Sequence, residues 1–229
     1  LGTGVLGGKG RGLAFINTLI YNLNFSDLIP GINIRTPKTS IIGTDEFDIF
    51  LERNNLFDVI NGEYSYEEIQ EMFVNADLSY HLEKKLKSLL KTLHKPLAIR
   101  SSSLLEDSGN QPFSGIFETF LIPNNQDDFK ERFLQLTTAI KLVYASIFSN
   151  ESRSYFDSVS YKLEEEKMAV IIQEVVGREY DNIFYPHISG TAQSRNYYPV
   201  AHMEPEDGFA IAALGLGHYV VNGEKAYRF

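Results

Sequence analysis

Residues 97–121 read LAIRSSSLLEDSGNQPFSGIFETFL. Pro96 closes the segment before them, and Leu97-Ala98-Ile99 is an apolar run of strand length rather than helix length. It runs into Arg100 and three hydroxyls, Ser101, Ser102 and Ser103. Residues 104–114 are polar, contain Gly109, Asn110 and Pro112, and predict a loop. Phe117 to Ile122 predicts a second strand. An arginine at the end of a buried strand is costly unless its charge is met. Two ways of meeting it are open. One is an anion, for which the three serine hydroxyls are further hydrogen-bond donors. The other is Glu106 or Asp107, which would make Arg100 a clamp on its own loop. Gly115 would let the backbone fold over a ligand and Thr119 could cap a phosphate, although the same residues also suit a plain hairpin.

Upstream, Leu82, Leu86, Leu89, Leu90 and Leu93 predict an amphipathic helix over 80–94, with a lysine-rich, solvated opposite face. Residues 61–68 read as a polar loop. Asp45 to Asn54 predicts a short helix capped by Thr44 or Asp45. Ile32 to Ile42 has strand character. Downstream, Phe129, Phe133, Leu136, Ile140, Val143 and Ile147 mark a helix over about 126–149, and Met168 to Val176 predicts an apolar strand broken by Gln173 and Glu174. A strand that ends in a hinge presents backbone donors and acceptors suited to an adenine edge. The other reading of Gln173 and Glu174, and the more ordinary one, is an edge strand whose polar side chains face water. Beyond it, glycines divide short apolar pieces and the chain becomes more β-like. Ser189-Gly190 and Ser194-Arg195-Asn196 are a second candidate polar loop near an anion, or simply loop.

The first residues are glycine-rich. Gly7-Gly8-Lys9-Gly10 stands at the start of a helix predicted from Lys9 or Gly10 to Asn24. Free N–H groups, the helix dipole and a lysine suit that position to an anion. The alternative is a flexible leader. Gly2-x-Gly4-x-x-Gly7 matches a dinucleotide fingerprint in spacing, but no strand precedes it. The Walker A pattern fails because Gly10 occupies the Ser/Thr position.

The 229 residues carry 21 Lys+Arg against 30 Asp+Glu, a net charge of −9. That balance argues against a dedicated nucleic-acid binder while leaving room for a local anion pocket. Cysteine is absent and the five histidines show no metal-ligand or triad spacing. No Gly-x-Ser-x-Gly elbow is present, which argues against an α/β-hydrolase. No apolar run reaches the roughly 20 residues of a membrane helix. Lack of cysteine fits a cytoplasmic protein. The glycine-rich start at Leu1 and the stop at Arg228-Phe229 read as a piece of a longer protein.

In this order the segments resemble the N-terminal nucleotide-binding domain of the phosphoenolpyruvate synthase / pyruvate, phosphate dikinase family. Gly7-Gly8-Lys9-Gly10 with Leu13 resembles GGKG-x-x-L, and Pro30 to Phe50 resembles the PPGF-x-[IV]-T-x-x-x-[FY] stretch. Ala98 to Ser102, Glu106-Asp107, Phe113-Ser114-Gly115 and Glu118-Thr119-Phe120-Leu121 are similar to VRSSA-x-x-ED…SFAG-x-x-ETFL. Tyr144 to Phe148 resembles WASLF, Met168 to Gln173 resembles MAV-x-[VI]-Q, Ser189 to Ala192 resembles SG-x-[AM], and Gly215-Leu216-Gly217 resembles the start of GLGE.

The resemblance implies an α+β, ATP-grasp-like two-lobed fold truncated in its second lobe. Residues 1–172 would form the N-terminal α/β lobe, and 173–229 the hinge and the beginning of a β-rich lobe. It implies ATP and Mg²⁺ as cofactors, with Lys9 and Arg100 as catalytic and phosphate-contacting residues. Gly115 and Thr119 would belong to the loop covering the phosphates, and Gln173 to the adenine or ribose edge. No metal ligand is implied within 1–229. The partners implied are ATP and downstream phospho-histidine and acceptor-binding domains, with no nucleic acid or membrane. An exposed apolar edge would favour a homo-oligomer. The reaction implied is transfer from Mg-ATP to a histidine on a swivelling domain, then to pyruvate or another acceptor. Residues 1–229 alone are expected to be inactive. His218 in place of the GLGE acid and Gln193-Ser194-Arg195 in place of an apolar run motivate an alternative, a regulatory ATP-sensing module without phosphotransfer.

Overall fold

The computed structural model describes residues 1–229 except 24, 63, 105–115, 160–161, 164–165, 201, 218–219, 221–225 and 229. Glu106, Asp107, Phe113, Ser114, Gly115 and His218 therefore lie outside the described residues. The protein mixes helix and sheet and is α+β. It divides into two compact units, Leu1–Val175 and Val176–Phe229.

The first unit is built on a four-stranded antiparallel sheet of order β1-β4-β2-β3, with β1 Thr39–Ile42, β2 Leu97–Ser103, β3 Thr119–Ile122 and β4 Met168–Glu174. Its helices are α1 Gly7–Asn22, α2 Phe25–Leu28, α3 Asp45–Arg53, α4 Phe57–Asn61, α5 Tyr66–Asn75, α6 Tyr80–Leu90, α7 Phe129–Ala145 and α8 Asn150–Ser158. One sheet face, with Leu97, Ile99, Met168, Val170 and Ile172, joins the core supplied by α3 and α5–α7. An aromatic chain lies at its centre: Phe47 and Phe50 pack on Tyr144 with ring centroids 5.1 and 5.4 Å apart, and Phe73 joins Phe50 to Phe148 at 5.4 and 5.5 Å. Truncating a buried ring such as Phe50 costs about 3–5 kcal/mol through lost transfer energy and cavity formation.

Helix ends are fixed by side chains. Ser79 and Asp128 cap α6 and α7, and Ser65 with Glu68 forms a reciprocal capping box on α5. Asn124, buried and at φ +52°, donates to the carbonyls of Leu93 and Lys95 and accepts from Arg132, which itself reaches Leu90 O and Leu93 O. A cation and an amide thus bond carbonyls at and just beyond the end of α6. The lysine face of α6 is solvated as expected, with Lys87 paired to Glu83 and lying 4.7 Å above the Phe133 ring.

Several expectations need correction. Only Thr39–Ile42 of the stretch from Ile32 forms a strand, paired with β4 in the register Thr39↔Gln173 to Ile42↔Val170, with Lys38 O accepting from Glu174 N at 2.9 Å just before it. Part of the expected loop at 61–68 is the start of α5; its polar composition is that of a capping box, and the buried face begins with Ile69 and Phe73. The long helix ends at Ala145 and a separate α8 follows. The break is a buried serine knot in which Ser146 Oγ donates to Val143 O and Ser152 Oγ to Ser146 O, a competition with the helical ladder. Thr44 precedes α3 but makes no cap bond; its Oγ1 accepts from Val5 N instead.

The second unit holds a hairpin, β5 Arg178–Tyr180 and β6 Ile183–Tyr185, and a three-stranded antiparallel sheet of β7 Ile188–Gln193, β8 Phe209–Leu214 and β9 Tyr227–Arg228. Asp181 and Asn182, at φ +47° and +68°, make the hairpin turn. Ser189 and Gly190 lie in β7 and not in a loop, with Ser189 Oγ donating to Gly215 O. Arg195 pairs with Glu206 at 3.0 Å on an exposed surface, where such a pair contributes little. Among the described residues no helix is long and apolar enough to cross a membrane.

The buried Tyr144 hydroxyl has no hydrogen-bond partner among the described residues, and burial, reinforced by Glu46 and Asp48, holds its pKa far above the ordinary value. Tyr144→Phe removes an unsatisfied buried hydroxyl and is expected to leave stability unchanged or raise it by about 1 kcal/mol in a denaturant titration. A loss of that size would mean that the hydroxyl has a partner.

Candidate functional site

Strand parity sorts the sheet residues into two sets. Arg100 stands opposite Thr119 of β3 and Ile171 of β4, and Gln173 stands between Ala98 of β2 and Thr39 of β1. Side chains of directly paired residues share a face. Thr39, Gln173, Ala98, Arg100, Ser102 and Thr119 therefore lie on one face, the one opposite the aromatic core. The sheet brings three of the sequence-predicted residues, Arg100, Thr119 and Gln173, to that side.

The start of α1 packs on the same face. The Gly10 amide donates to Ser102 Oγ at 2.9 Å, and Ser102 Oγ donates to Leu6 O at 2.8 Å. Gly7 has φ +68°, and a Cβ there would stand 2.1 Å from the Ser102 carbonyl oxygen, so only glycine allows this approach. Lys9 is half-buried in the same turn. The helix starts at Gly7, two residues before the earliest start expected from sequence, and the glycine-rich leader is hydrogen-bonded to the rest of the unit. Its backbone is pinned to the link between β1 and α3 by Gly43 N to Leu1 O at 3.0 Å, Thr44 N to Val5 O at 3.1 Å and Val5 N to Thr44 Oγ1 at 3.0 Å. Among the described residues of α1 only Gly7 and Gly10 are buried. Ile16 and Leu23, expected on a buried face, are each 43% exposed, because the helix meets the sheet through its first turns alone.

Arg100 is half-buried, and among the described residues its guanidinium has no hydrogen-bond or ion-pair partner. The three serines beside it do not act together. Ser101 and Ser103 fall on the core side by parity, and the buried Ser103 hydroxyl has no partner among the described residues. Ser102 alone shares the face of Arg100, and its hydroxyl is engaged with α1. Thr119 is exposed. Gln173 is not on an edge strand: β4 is interior, Gln173 Nε2 donates to Thr39 Oγ1 at 2.9 Å, and Glu174 is buried.

Two residues escaped sequence reasoning. Tyr66, the first residue of α5, donates its hydroxyl to Glu118 Oε1 at 3.1 Å, beside Thr119. Burial, followed by the nearby Glu118 carboxylate, raises the Tyr66 pKa well above its ordinary value. Ser102 was visible only as one of three serines. The sequence signal for Tyr66 was the Ser65-x-x-Glu68 box that fixes its helix start.

A cleft of about 430 Å³ lies between Leu13, Ala14 and Asn17 of α1 and the segment Thr36–Thr39 with Ile41, so it shares Thr39 with the sheet face. A larger cleft of about 740 Å³ is lined by residues between Asn54 and Ala76 and shares none with that face. Among the described residues no three His, Asp or Glu side chains are grouped to hold a metal ion.

Fold and face together define an α+β domain with a lysine-bearing helix start and an arginine on the non-core side of its sheet. The sequence profile described as pyruvate phosphate dikinase, AMP/ATP-binding domain, matches residues 3–226, and the chain belongs to that family. It is 28% identical over 190 residues to the uncharacterized phosphotransferase YvkC of Bacillus subtilis, covering 82% of this chain and 20% of that one. It is 26% identical over 170 residues to a phosphoenolpyruvate synthase of Aeropyrum pernix, covering 71% of this chain and 18% of the relative. A phosphoenolpyruvate synthase of Deinococcus radiodurans is 24% identical over 225 residues, 88% of this chain and 26% of the relative. The chain thus spans about a fifth to a quarter of the length of these relatives. It is an ATP-binding domain of a phosphotransferase family.

Two glycine substitutions test the packing of α1. Gly7→Ala is expected to destabilise the protein by more than about 1 kcal/mol, through the left-handed φ and the contact with Ser102. At Gly12 a Cβ would meet nothing within 4 Å, and Gly12→Ala is expected to stabilise by about 0.5–1 kcal/mol. Thermal melts of the two variants, moving in opposite directions, are the check.

Proposed function

We propose that the sheet face carrying Arg100 and the start of α1 binds the phosphates of ATP, and that Lys9 and Arg100 are the two cationic groups in contact with them. The observation that supports this most directly is Arg100, a half-buried guanidinium without a partner among the described residues, on the face against which the glycine–lysine turn is packed. Phosphoryl transfer needs positive charge, backbone donors and exclusion of water more than a covalent apparatus. In this reading Thr119, opposite Arg100 on β3, belongs with Gly115 to the segment covering the phosphates. Gln173 and the cleft it adjoins through Thr39 belong to the adenine or ribose end. The two units correspond to two lobes of an ATP-grasp-like domain.

The wider reaction is ATP-dependent phosphorylation of a histidine on a separate swivelling domain, with onward transfer to pyruvate or another acceptor. The family and the names of the phosphoenolpyruvate synthase relatives support it. In this reading Mg²⁺ would accompany the nucleotide and bridge its phosphates.

Lys9→Ala and Arg100→Ala are each expected to weaken ATP binding by about 1.5–3 kcal/mol, the range for a hydrogen bond to a charged group. Calorimetric titration with ATP checks this, and unchanged affinity in both variants would remove these residues from the site. In the full-length protein, ATP labelled separately at the β and γ positions separates transfer from sensing. Acid-labile β label retained on the protein supports the phosphohistidine route, and bound ATP without retained label supports a regulatory module.

A further inference from the structure

We propose that Ser102 is the positioning residue of the phosphate site. Its one hydroxyl sets the place of the Gly7–Gly10 turn, and hence of Lys9, against the strand that bears Arg100. The inference rests on the reading of Lys9 and Arg100 as phosphate ligands.

Leu6, the residue before the helix, makes no side-chain cap bond. In a helix that starts at Gly7, the Gly10 amide and the Leu6 carbonyl would ordinarily pair with each other to close the first turn. Instead a hydroxyl from a strand 92 residues away in sequence stands between them: Ser102 Oγ takes the Gly10 amide at 2.9 Å. A hydroxyl has one proton to give and two lone pairs, and here the proton goes to Leu6 O at 2.8 Å. One oxygen therefore grips the turn on both sides of Lys9.

The grip has no slack. Ser102 is fully buried, a Cβ on Gly7 would stand 2.5 Å from Ser102 Oγ, and one on Gly10 would stand 3.2 Å from Ile41 Cδ1. Ser102 is also two residues from Arg100 along β2 and on the same face. Any displacement of this hydroxyl moves Lys9 relative to Arg100, whereas Ser101 and Ser103, on the other face, have no such connection.

Loss of the hydroxyl removes the bridge between the Gly10 amide and the Leu6 carbonyl, which can then close on each other directly and release the turn from β2. Ser102→Ala is expected to weaken ATP binding about tenfold, the size of one such hydrogen bond. Because Ser102 acts through Lys9, Lys9→Ala should cost much less in the Ser102→Ala background than in the wild type, while Arg100→Ala should keep most of its effect. Ser103→Ala is the control on the same strand and should leave ATP affinity unchanged. Ser102→Cys keeps nearly the same volume with a poor hydrogen-bonding group, and serves if the alanine variant fails to fold.

Titration of these variants with ATP gives distinct outcomes. Weakened binding with coupling to Lys9 supports the proposal. Wild-type affinity in folded Ser102→Ala or Ser102→Cys, even with a lower melting temperature, makes Ser102 merely structural and overturns it. A loss that adds fully to that of Lys9→Ala also overturns it. If the wild-type chain binds no ATP, the reading of this face as a phosphate site falls, and the role of Ser102 falls with it.

Discussion

The antiparallel pairing of Leu97–Ser103 with Met168–Glu174 decides which side of the sheet every site residue occupies. Side chains alternate along a strand, so a slip of one residue would exchange the two faces. Arg100 would then enter the aromatic core, and Ile99 would face the glycine–lysine turn. The core side makes that slip prohibitive, because Leu97, Ile99, Val170 and Ile172 are all buried against α-helices. Hydrophobic burial on one face thereby holds a charged side chain on the other.

The same pairing explains how a helix with an almost wholly exposed body can be held in place. Among its described residues α1 buries only two glycines, so its attachment depends on close backbone approach and a few hydrogen bonds rather than on apolar area. Such an attachment contributes little stability, but it defines position well, since bulk at Gly7 or Gly10 would meet neighbouring atoms at once. A ligand-binding turn needs definition of this kind more than a large share of the folding energy.

Much of this was legible in the sequence. The strand at Leu97, the long helix from Phe129 and the apolar strand at Met168 each follow from periodicity and end where a cap, a proline or a polar pair stops them. Arg100 stood out because a charge beside a buried run needs a reason. What was not legible depends on contacts between distant segments. Ser65 to Glu68 looked like loop until its capping box was seen to start a helix with Ile69 and Phe73 beneath it. Gln173 fitted an edge strand until β1 was seen to cover β4. Ser102 could not be told from Ser101 and Ser103, because parity and a partner 92 residues away distinguish it.

The central claim is that ATP lies on the sheet face of Arg100 and not in the larger cleft between Asn54 and Ala76. Amide hydrogen exchange of the chain, measured with and without ATP, tests it most directly. With ATP on that face, exchange slows in residues 7–12, 97–103 and 119–122 and is unchanged in residues 54–76. Protection confined to 54–76 would contradict it.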